Sequence, residues 1–298
     1  MRAAIFVNPS KVGDGTRARA EVALLAEALG EPAPAWFETT ADDPGPGQAR
    51  QAVRDGAEMV MAWGSDGTVM GVAGELAHTD VSLAILPGGT GNLLARNLAV
   101  PLTVKAAVET AYRGRDRRID LLDLYLGRGE RRLSSVMCDM GWDADMMGAP
   151  EDLKKRAGWG AYAVQGARHI GKRPMRLRLS VDGGPKQQLY GRTVLIANVG
   201  MLVAGLNLIP EAQGDDGLLD ILVIDPSTPL DWARTTTGIL RGTGADADPS
   251  RTHLSGRQVT VSTGHSRGRQ VDGDTVEDGY GFRVSVLEKA LAVRVPSE

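Results

Sequence analysis

An acid flanked by glycines, Asp66, follows an apolar run in the first third of the chain. The run of residues 59–63 stops at Gly64, and a helical pattern of apolar residues begins after Thr68. A turn from a strand into a helix directs free backbone N–H groups and the positive helix end outward, where a phosphate is the natural ligand. A carboxylate repels a phosphate unless Mg²⁺ or a hydroxyl proton lies between them, so this turn points to phosphoryl transfer.

Two interpretations of the turn stay open on these residues alone. In the first, Gly64 and Gly67, which permit positive φ, let a phosphate approach the backbone. In the second, the segment is a tight strand-to-helix turn in which Asp66 is only a local cap. The residue types favour the two interpretations equally.

Composition limits the classes of protein that the chain can be. Its 298 residues suffice for about two domains, and a net charge of −3 gives no electrostatic case for nucleic acid. The single cysteine, Cys138, excludes an internal disulfide and a cysteine-based zinc site, and it is expected to be a small buried residue of a strand. With no charged leader and no apolar run near about 18 residues, a cytoplasmic protein with at most peripheral membrane contact is expected.

Strands and helices alternate through about residue 115, which predicts a parallel sheet covered by helices. Three polar loops follow strands, and they begin at Asn8, Gly64 and Gly88. Residues 8–15 are predicted to be a loop without helix, with Thr16 as the cap of the helix that follows. Ligands of such sheets bind at the carboxyl ends of the strands, so the three loops form the predicted site. The predicted strands are 3–7, 34–38, 58–63 and 82–86.

The second half of the chain is predicted to be rich in strands. Helices are expected at 151–169 and 229–241, and residues 242–250 are expected to be a mobile loop. Asp182-Gly183 and Asp272-Gly273 are typical of hairpin turns. The predicted strands are 117–126, 132–141, 175–182, 188–199, 218–224, 257–263, 268–272 and 281–287. The predicted domains are an α/β domain at 1–116 and a β-rich domain at 117–287, with segment 288–298 packing back on the first.

Two common nucleotide motifs do not explain the glycines. The chain has no G-x-x-x-x-G-K-[ST] sequence, which excludes a Walker-type site. Residues 13–18 match a loose G-x-G-x-x-A, but a dinucleotide fold places its first glycine directly after the strand. Here five residues, including Pro9, separate Val7 from Gly13, so this match is treated as coincidence.

Three motifs in order resemble the catalytic domain of the diacylglycerol kinase family: Asn8-Pro9-Ser10, the G-S-D-G-T of residues 64–68, and the L-P-G-G-T-G-N of residues 86–92. That family includes bacterial soluble lipid kinases and sphingosine and ceramide kinases, and it is distantly related to NAD kinases. Further segments look like landmarks of its second domain, so the resemblance covers nearly the whole chain. These segments are 141–145, 196–198, 210–212, 215–220 and 271–274.

The resemblance implies an α/β N-terminal domain of the NAD-kinase and diacylglycerol-kinase type, followed by a β-rich, sandwich-like C-terminal domain. It implies transfer of the γ-phosphoryl group of ATP to a lipid hydroxyl, with Mg²⁺. The nucleotide-binding residues that it implies are Asn8, Pro9, Ser10, Thr40, Gly64, Ser65, Asp66, Gly67, Thr68, Val69, Met70, Gly89, Thr90 and Asn92.

The resemblance also implies catalytic acids and a metal site. Asp274, with Asp272 beside it, matches the position usually assigned as general base, and Asp66 is the rival assignment. Asp216, with main-chain oxygens of Gln213 and Leu218, matches a magnesium site of bacterial members.

The chain departs from the family pattern at three positions. Ser65 stands for a glycine, Gly71 for a glutamate, and Asp274 for the glutamate of the hairpin.

A cytoplasmic lipid kinase that docks on the inner membrane surface is therefore the leading hypothesis, with a role in lipid metabolism. Diacylglycerol, a sphingoid base and phosphatidylglycerol all suit it as acceptors. The alternatives are an NAD kinase-like enzyme and a catalytically weak relative that binds lipid or nucleotide. A homodimer is left open, and nucleic acid is not an expected partner. The residues predicted to form a basic, membrane-facing surface are Arg113, Arg115, Arg117, Arg118, Lys172, Arg173, Arg176 and Arg178.

Overall fold

The computed structural model describes residues 1–40, 45–141, 173–201 and 207–297. The chain divides into two compact units: unit 1 is Met1–Leu121 with Glu288–Glu298, and unit 2 is Leu122–Leu287. Three predictions lie outside the described residues, namely the family landmark at 142–145, the helix at 151–169 and the role of Lys172. Within the described parts, no helix is long and apolar enough to cross a membrane.

Unit 1 is an α/β unit built on parallel strands, as predicted. Its first four strands pair in the order β2-β1-β3-β4, and every one of these pairings is parallel. The strands are β1 Ala3–Val7, β2 Ala35–Glu38, β3 Met59–Gly64 and β4 Ser82–Pro87. The helices are α1 Pro9–Val12, α2 Gly15–Ala28, α3 Pro46–Arg54, α4 Asp66–Leu76, α5 Leu93–Asn97 and α6 Val104–Arg113.

Burial explains why the central strand of unit 1 has a continuous apolar sequence. All six residues of β3 are buried, because the strand has neighbours on both sides and helices cover its faces. Met59, Met61 and Trp63 of β3 belong to one apolar core, which also contains Val22 of α2 and Val108 of α6. The carboxyl ends of the parallel strands consequently meet at one rigid edge.

Two local predictions in this unit are wrong. Residues 9–12 form the short helix α1, because Pro9 suits the first helical turn and the Asn8 side chain accepts a hydrogen bond from the Ser10 N–H. Asp14, not Thr16, caps α2, since its carboxylate accepts from the N–H groups of Thr16 at 3.0 Å and Arg17 at 3.2 Å.

Unit 2 is rich in antiparallel strands that share one apolar core, which confirms the β-rich, sandwich-like prediction. One branch follows the order β12-β11-β10-β7-β13, and a second branch adds β8 and β9 to β13. Two of its strands, β5 Arg115–Gly127 and β14 Asp274–Val295, also run into unit 1. The others are β6 Glu130–Ser134, β7 Met137–Gly141, β8 Met175–Val181, β9 Gln187–Gly191, β10 Thr193–Ala197, β11 Leu219–Ile224, β12 Arg251–Gly256 and β13 Gln258–Val271. One described helix, α7 Pro229–Leu240, joins β11 to the residues before β12.

Several predicted strand boundaries are wrong, for reasons that lie outside the local sequence. Strand β13 is one 14-residue strand rather than two, because its first part pairs with β8 and its last part with β7. Register shifts between Ser262 and Arg269 let it change partners. Conversely, the predicted strands 132–141 and 188–199 are each interrupted, at residues 135–136 and at Arg192.

Both predicted Asp-Gly hairpins are confirmed. Asp182 and Gly183 have φ of 50° and 70°, and Asp272 and Gly273 have φ of 49° and 92°, which is the left-handed pair that a two-residue hairpin turn needs.

The predicted loop at 242–250 contains a short helical turn, and its mobility stays a prediction. Residues Ala245–Ala247 form a 3₁₀ turn, and buried Asp248 accepts a hydrogen bond of 2.6 Å from the Thr235 hydroxyl.

The last residues of the chain complete the sheet of unit 1. Val293 of β14 pairs with Leu83 of β4 in parallel, and the Lys289 N–H donates to the Asp120 carboxylate at 2.6 Å. Gly114 lies against this segment so closely that a Cβ would be 2.2 Å from the Val295 carbonyl oxygen and 2.5 Å from that of Thr110. Only glycine fits between these two main chains.

Gly114→Ala should therefore destabilise the protein by about 1–3 kcal/mol, because backbone must move to admit one methyl group. The Gly114 backbone is itself extended, so conformational strain does not contribute. Urea unfolding followed by circular dichroism measures the change. Gly264→Ala is the matched control, since nothing lies within 4 Å of a Cβ there. Equal stability of the two variants would contradict the steric argument.

Candidate functional site

The loop after β1 is joined to the helix after β3 through Asn8. The Asn8 side-chain oxygen accepts from the Ser10 N–H at 3.1 Å and from the Ser10 hydroxyl at 2.7 Å. Its amide donates to the Thr68 hydroxyl at 3.4 Å, and its own N–H donates to the Trp63 carbonyl at 3.0 Å. These contacts bring the first two predicted motifs together at the carboxyl ends of β1 and β3.

Helix α4 begins directly at the end of β3, with Ser65 as its N-cap residue. The Ser65 side chain makes no capping hydrogen bond, so the N–H groups of the first helical turn receive no acceptor from it. Gly67 is exposed in this turn, while Thr68 behind it is 6% exposed. An uncapped helix start with an exposed glycine can accept an anion.

Neither Gly64 nor Gly67 uses the positive φ that glycine permits. Gly64 is the last residue of strand β3, and Gly67 lies inside α4. Gly64 is needed for space instead, because a Cβ there would lie 2.5 Å from the Thr68 hydroxyl oxygen. The tight passage of the chain from β3 into α4 therefore depends on the missing side chain rather than on a special backbone angle.

The loop after β4 lies against the end of β3, main chain on main chain. The Gly88 N–H donates to the Gly64 carbonyl at 3.1 Å, and a Cβ on Gly88 would lie 2.9 Å from the Gly64 Cα. A Cβ on Gly89 would lie 3.0 Å from the Ser65 Cα. The third motif is thus held within contact distance of the second by Gly88, where a Cβ would clash with main chain, and by Gly89, where a Cβ would be crowded.

Asp66 links the same two motifs through its carboxylate. One carboxylate oxygen accepts from the Leu93 N–H at 2.6 Å, so Asp66 caps helix α5 from a different loop. A Cβ on Gly91 would lie 2.6 Å from the other carboxylate oxygen. The sequence left open whether Asp66 faces a phosphate or is only a local helix cap. The hydrogen bond in the structure is that of a cap, but Asp66 caps α5 rather than its own helix α4.

Asn92 fixes the shape of the loop between β4 and α5. It has φ of 48°, and its side chain both accepts from the Gly89 N–H at 3.1 Å and donates to the Gly89 carbonyl at 2.8 Å. Asparagine tolerates this left-handed conformation better than most residues. Thr90, between the two, is left exposed.

The remaining predicted nucleotide residues lie at the same end of the unit 1 sheet. Pro9 opens α1, Val69 and Met70 continue α4, and exposed Thr40 follows β2, which pairs with β1 in parallel. Hydrogen bonds or close packing thus join the motifs that begin at Asn8, Gly64 and Gly88, and Thr40 lies at the same edge of the sheet.

In unit 2, Asp272 is buried and holds a turn together. Its carboxylate accepts from the Ser134 hydroxyl at 2.6 Å and from three consecutive N–H groups at 2.9–3.1 Å, those of Ser135, Val136 and Met137. Burial raises the pKa of Asp272 from 3.8 to about 6, against the opposing effect of these four donors. Asp272 consequently organises the chain between β6 and β7.

Asp274 differs from Asp272 in every respect that matters for proton transfer. It is exposed, and as the first residue of β14 it pairs with Val271 across the hairpin. Its position two residues beyond a fully engaged carboxylate means that Asp272 fixes the hairpin from which Asp274 projects. An exposed carboxylate on a rigid turn can accept a proton from a bound hydroxyl.

The predicted metal ligands lie before β11. Asp216 is exposed and accepts a hydrogen bond from the Leu218 N–H at 2.9 Å, while Gln213 is exposed nearby in sequence. Among the described residues, no group of three or more His, Cys, Asp or Glu side chains is arranged to hold a metal ion. A cation at Asp216 would therefore depend on main-chain oxygens.

Three contacts of this site were not found by sequence reasoning. They are the Asn8–Thr68 hydrogen bond, the capping of Leu93 by Asp66, and the ring of donors around Asp272. The partners are 60, 27 and 138 positions apart. No local periodicity or turn signal relates residues at such separations.

Cys138 has the structural role that the sequence predicted. It is fully buried in β7, and burial, together with the nearby Asp139 and Asp272, raises the pKa of its thiol well above the usual value. The thiol is therefore not a nucleophile of this site.

Comparison with known proteins agrees with this arrangement. The diacylglycerol kinase catalytic domain matches residues 2–124, and the YegS C-terminal NAD kinase beta sandwich-like domain matches residues 136–295. A Pseudomonas aeruginosa protein described as "Probable lipid kinase YegS-like" is 31% identical over 98% of this chain and 94% of its own length. An uncharacterized Synechocystis protein is 27% identical over 83% of this chain, which spans 57% of that relative.

A solved structure shows the same fold. The crystal structure of a diacylglycerol kinase from Bacillus anthracis superposes with a TM-score of 0.75 at 17% identity, covering 99% of this chain and 96% of that one. Fold and motifs together define a two-domain lipid kinase. The chain belongs to the family that joins a diacylglycerol kinase catalytic domain to a YegS-type C-terminal domain.

Protonation of Asp272 should couple the stability of the protein to pH. Because the pKa of Asp272 is higher in the folded state, the folded protein binds the proton more tightly than the unfolded chain does. The stabilisation that comes from this proton is complete below about pH 4 and is lost as the pH rises towards about 6. The stability of the parent relative to Asp272→Asn should fall across that window by at most about 3 kcal/mol, at about 1.4 kcal/mol per pKa unit. Urea unfolding of both proteins between pH 4 and pH 8 measures this difference.

Ser134→Ala sharpens the test. It keeps the carboxyl group but removes one of the donors that lower its pKa, so the window should extend to higher pH. The opposite result is a stability of the parent, relative to Asp272→Asn, that rises with pH. It would show that the four donors outweigh desolvation and lower the pKa of Asp272, which would contradict the prediction.

Proposed function

We propose that this lipid kinase transfers the γ-phosphoryl group of ATP to the hydroxyl group of an amphipathic lipid. The observation that carries the proposal is the start of α4, where an uncapped helical turn with exposed Gly67 follows β3 and is framed by the glycine loop after β4. Such a turn offers fixed N–H donors and a positive dipole to a phosphate group.

The residues present suit a nucleotide phosphate. The glycines at 64, 88 and 89 bring two loops into contact without side chains, which leaves Ser65, Gly67 and Thr90 to face a ligand through small or main-chain groups. Phosphoryl transfer requires positioning and charge stabilisation more than covalent participation of the protein. Asn8 supports the arrangement from β1 because it holds both Ser10 and Thr68.

Mg²⁺, when bound, would spread the negative charge of the phosphates during transfer. A carboxylate and main-chain carbonyl oxygens are hard donors of the kind that this cation prefers. Asp216 with the main-chain oxygens of Gln213 and Leu218 is such a set, and we assign it to a cation on the chemistry of the donors.

Among the three acids, the contacts favour Asp274 as general base. The Asp272 carboxylate is surrounded by four donors, and one oxygen of Asp66 accepts from Leu93. Asp274 is the exposed one. We therefore assign proton acceptance to Asp274, support of the hairpin to Asp272, and positioning of the phosphate loops to Asp66.

The decisive experiment is ATP turnover by the full chain with a panel of acceptors, with and without Mg²⁺. Diacylglycerol, sphingosine and phosphatidylglycerol are the lipid acceptors, and NAD tests for the related small-molecule chemistry. Lipid-dependent and Mg²⁺-dependent turnover supports the proposal. Turnover of NAD without turnover of any lipid, or no turnover at all, would refute it.

Asp274→Asn should lower single-turnover rates by about 10²–10⁴ and leave nucleotide affinity nearly unchanged, because the amide cannot accept the hydroxyl proton. Asp278→Asn, another exposed acid of β14, is the matched control and should retain the parental rate. Asp66→Asn should weaken Mg²⁺–nucleotide binding as well as rate, because it removes the carboxylate charge at the turn from β3 into α4 while its oxygen can still accept from the Leu93 N–H.

The rival assignment predicts the opposite order. If Asp66 is the base, Asp66→Asn abolishes turnover while Asp274→Asn keeps most of it. Thermal melts of each variant exclude loss of folding as the cause.

Gly67→Val should abolish ATP and ADP binding, whereas Gly67→Ala should weaken it less. The reason is steric crowding of a phosphate at the exposed first turn of α4, since Gly67 has an ordinary helical backbone. Isothermal titration with ADP measures the affinity. Because alanine favours helix over glycine, Gly67→Ala should be at least as stable as the parent. Parental affinity in a folded Gly67→Val protein would refute the phosphate-loop assignment.

A further inference from the structure

Helix α7 packs on its own unit through very little of its surface. Of its 12 residues, only Thr235 and Ile239 are buried. In most proteins a surface helix is stabilised by burying an amphipathic face, and short helices that lack such packing are marginal in water. The stability of α7 must therefore come from elsewhere.

Caps and one buried polar cluster supply that stability. Thr228 and Asp231 form a reciprocal capping box, and Pro229 occupies the first turn. On the inner side, Asp248 accepts from the Thr235 hydroxyl at 2.6 Å and lies 3.5 Å from the buried Arg251 guanidinium. The helix is thus held at its start by the capping box and along its inner side by Thr235 and Ile239. The face opposite these two residues is left uncovered.

The uncovered face is a narrow and unusual stripe. At about 100° per residue, the exposed positions after Pro229 fall within an arc of about 120°. All six of these described side chains are aliphatic, hydroxyl or basic, and none is acidic. They are Leu230, Ala233, Arg234, Thr237, Leu240 and Arg241, which we name the α7 stripe.

The two leucines are strongly exposed, and two arginines lie between and beside them. Leu230 is 67% and Leu240 is 55% exposed. Arg234 lies 3.5 Å from the Asp231 carboxylate at the edge of the stripe, while Arg241 ends the helix. A single exposed leucine is ordinary on a protein surface, so what distinguishes the α7 stripe is that two leucines and two arginines share one face without an acid.

Helix α2 shows that exposure of a leucine alone does not produce such a stripe. Leu24 is 66% exposed, but the exposed charged residues of that helix are of both signs, namely Arg17, Arg19, Glu21 and Glu27. The glutamates would be repelled by an anionic surface, whereas the arginines of the α7 stripe would be attracted.

We propose that the α7 stripe docks on an anionic lipid bilayer, with Leu230 and Leu240 inserted at the boundary between headgroups and acyl chains and Arg234 and Arg241 against lipid phosphates. A helix with apolar and basic residues on one exposed face is the form in which soluble proteins bind in the plane of a membrane surface. The choice of a bilayer as occupant rests on the proposed lipid-kinase function and on the charge complementarity of the stripe. This surface is separate from the basic face predicted at 113–118 and 172–178, which stays a prediction.

The test uses the full chain and sedimentation with vesicles of phosphatidylcholine, with and without phosphatidylglycerol. The parent should bind the anionic vesicles and should bind pure phosphatidylcholine at least tenfold more weakly. Replacing both leucines (Leu230→Gln with Leu240→Gln) should weaken binding to anionic vesicles at least tenfold. Replacing both arginines (Arg234→Gln with Arg241→Gln) should remove the preference for anionic lipid. Leu24→Gln is the matched control and should bind as the parent does.

A fluorescent label reports where the contact forms. Because Cys138 is buried, Thr237→Cys provides a selectively reactive thiol in the middle of the stripe, and Leu24→Cys provides one on α2. A polarity-sensitive dye at position 237 should shift its emission to the blue with anionic vesicles, and the dye at position 24 should not.

Three results would overturn the proposal: no binding to anionic vesicles at low salt, parental binding by the double-leucine variant, or a shift at position 237 that depends on protein concentration without vesicles. The last would mean that two copies of the chain cover the stripe.

Phosphorylation of a short-chain acceptor in solution separates this proposal from the proposed function, because it requires no docking. Vesicle binding without such activity would refute the function and keep the docking surface. Activity without vesicle binding would refute the docking surface alone.

Discussion

The contact of two main chains at Gly64 and Gly88 is the constraint on which the first unit depends. A hydrogen bond of 3.1 Å joins them, and neither position admits a Cβ. Pairing alone would let the parallel strands β3 and β4 end at different positions along the sheet. The contact between Gly64 and Gly88 fixes where both strands end, and so where both turns lie. The start of α4, the cap from Asp66 to α5 and the loop held by Asn92 are all built on it. Preorganised donors of this kind lose little entropy when a phosphate binds.

The acids of the chain divide into structural and available ones. Asp272 is buried among four donors and Asp66 caps a neighbouring helix, so both act mainly by fixing main chain. Asp274 is exposed on a hairpin that Asp272 makes rigid. Of the three, Asp274 is therefore the available carboxylate, and its role as base stays a proposal. This division explains why residue type alone left the roles of the three acids open.

The sequence predicted those features whose cause is local. The Asp-Gly hairpins, the alternation of strands and helices, and the buried Cys138 follow from turn chemistry and periodicity, and all are confirmed. Features with a distant cause were missed. Gly64 permits positive φ, but the structure uses its missing side chain for close approach to Thr68. Strand β13 was predicted as two strands, because its change of partners cannot be seen along the chain. The metal ligands and the catalytic roles stay predictions.

Strand β14 has a consequence for how the protein is made. It runs from Asp274 in unit 2 to Val295 in unit 1, where Val293 pairs with β4. During synthesis, the first 121 residues of unit 1 leave the ribosome long before their last strand does. Until residues 288–295 emerge, one side of β4 lacks this partner and exposes the main-chain groups of a sheet edge, which is a site for aggregation. Protection of this edge until residues 288–295 have been synthesised would therefore lower the risk of aggregation.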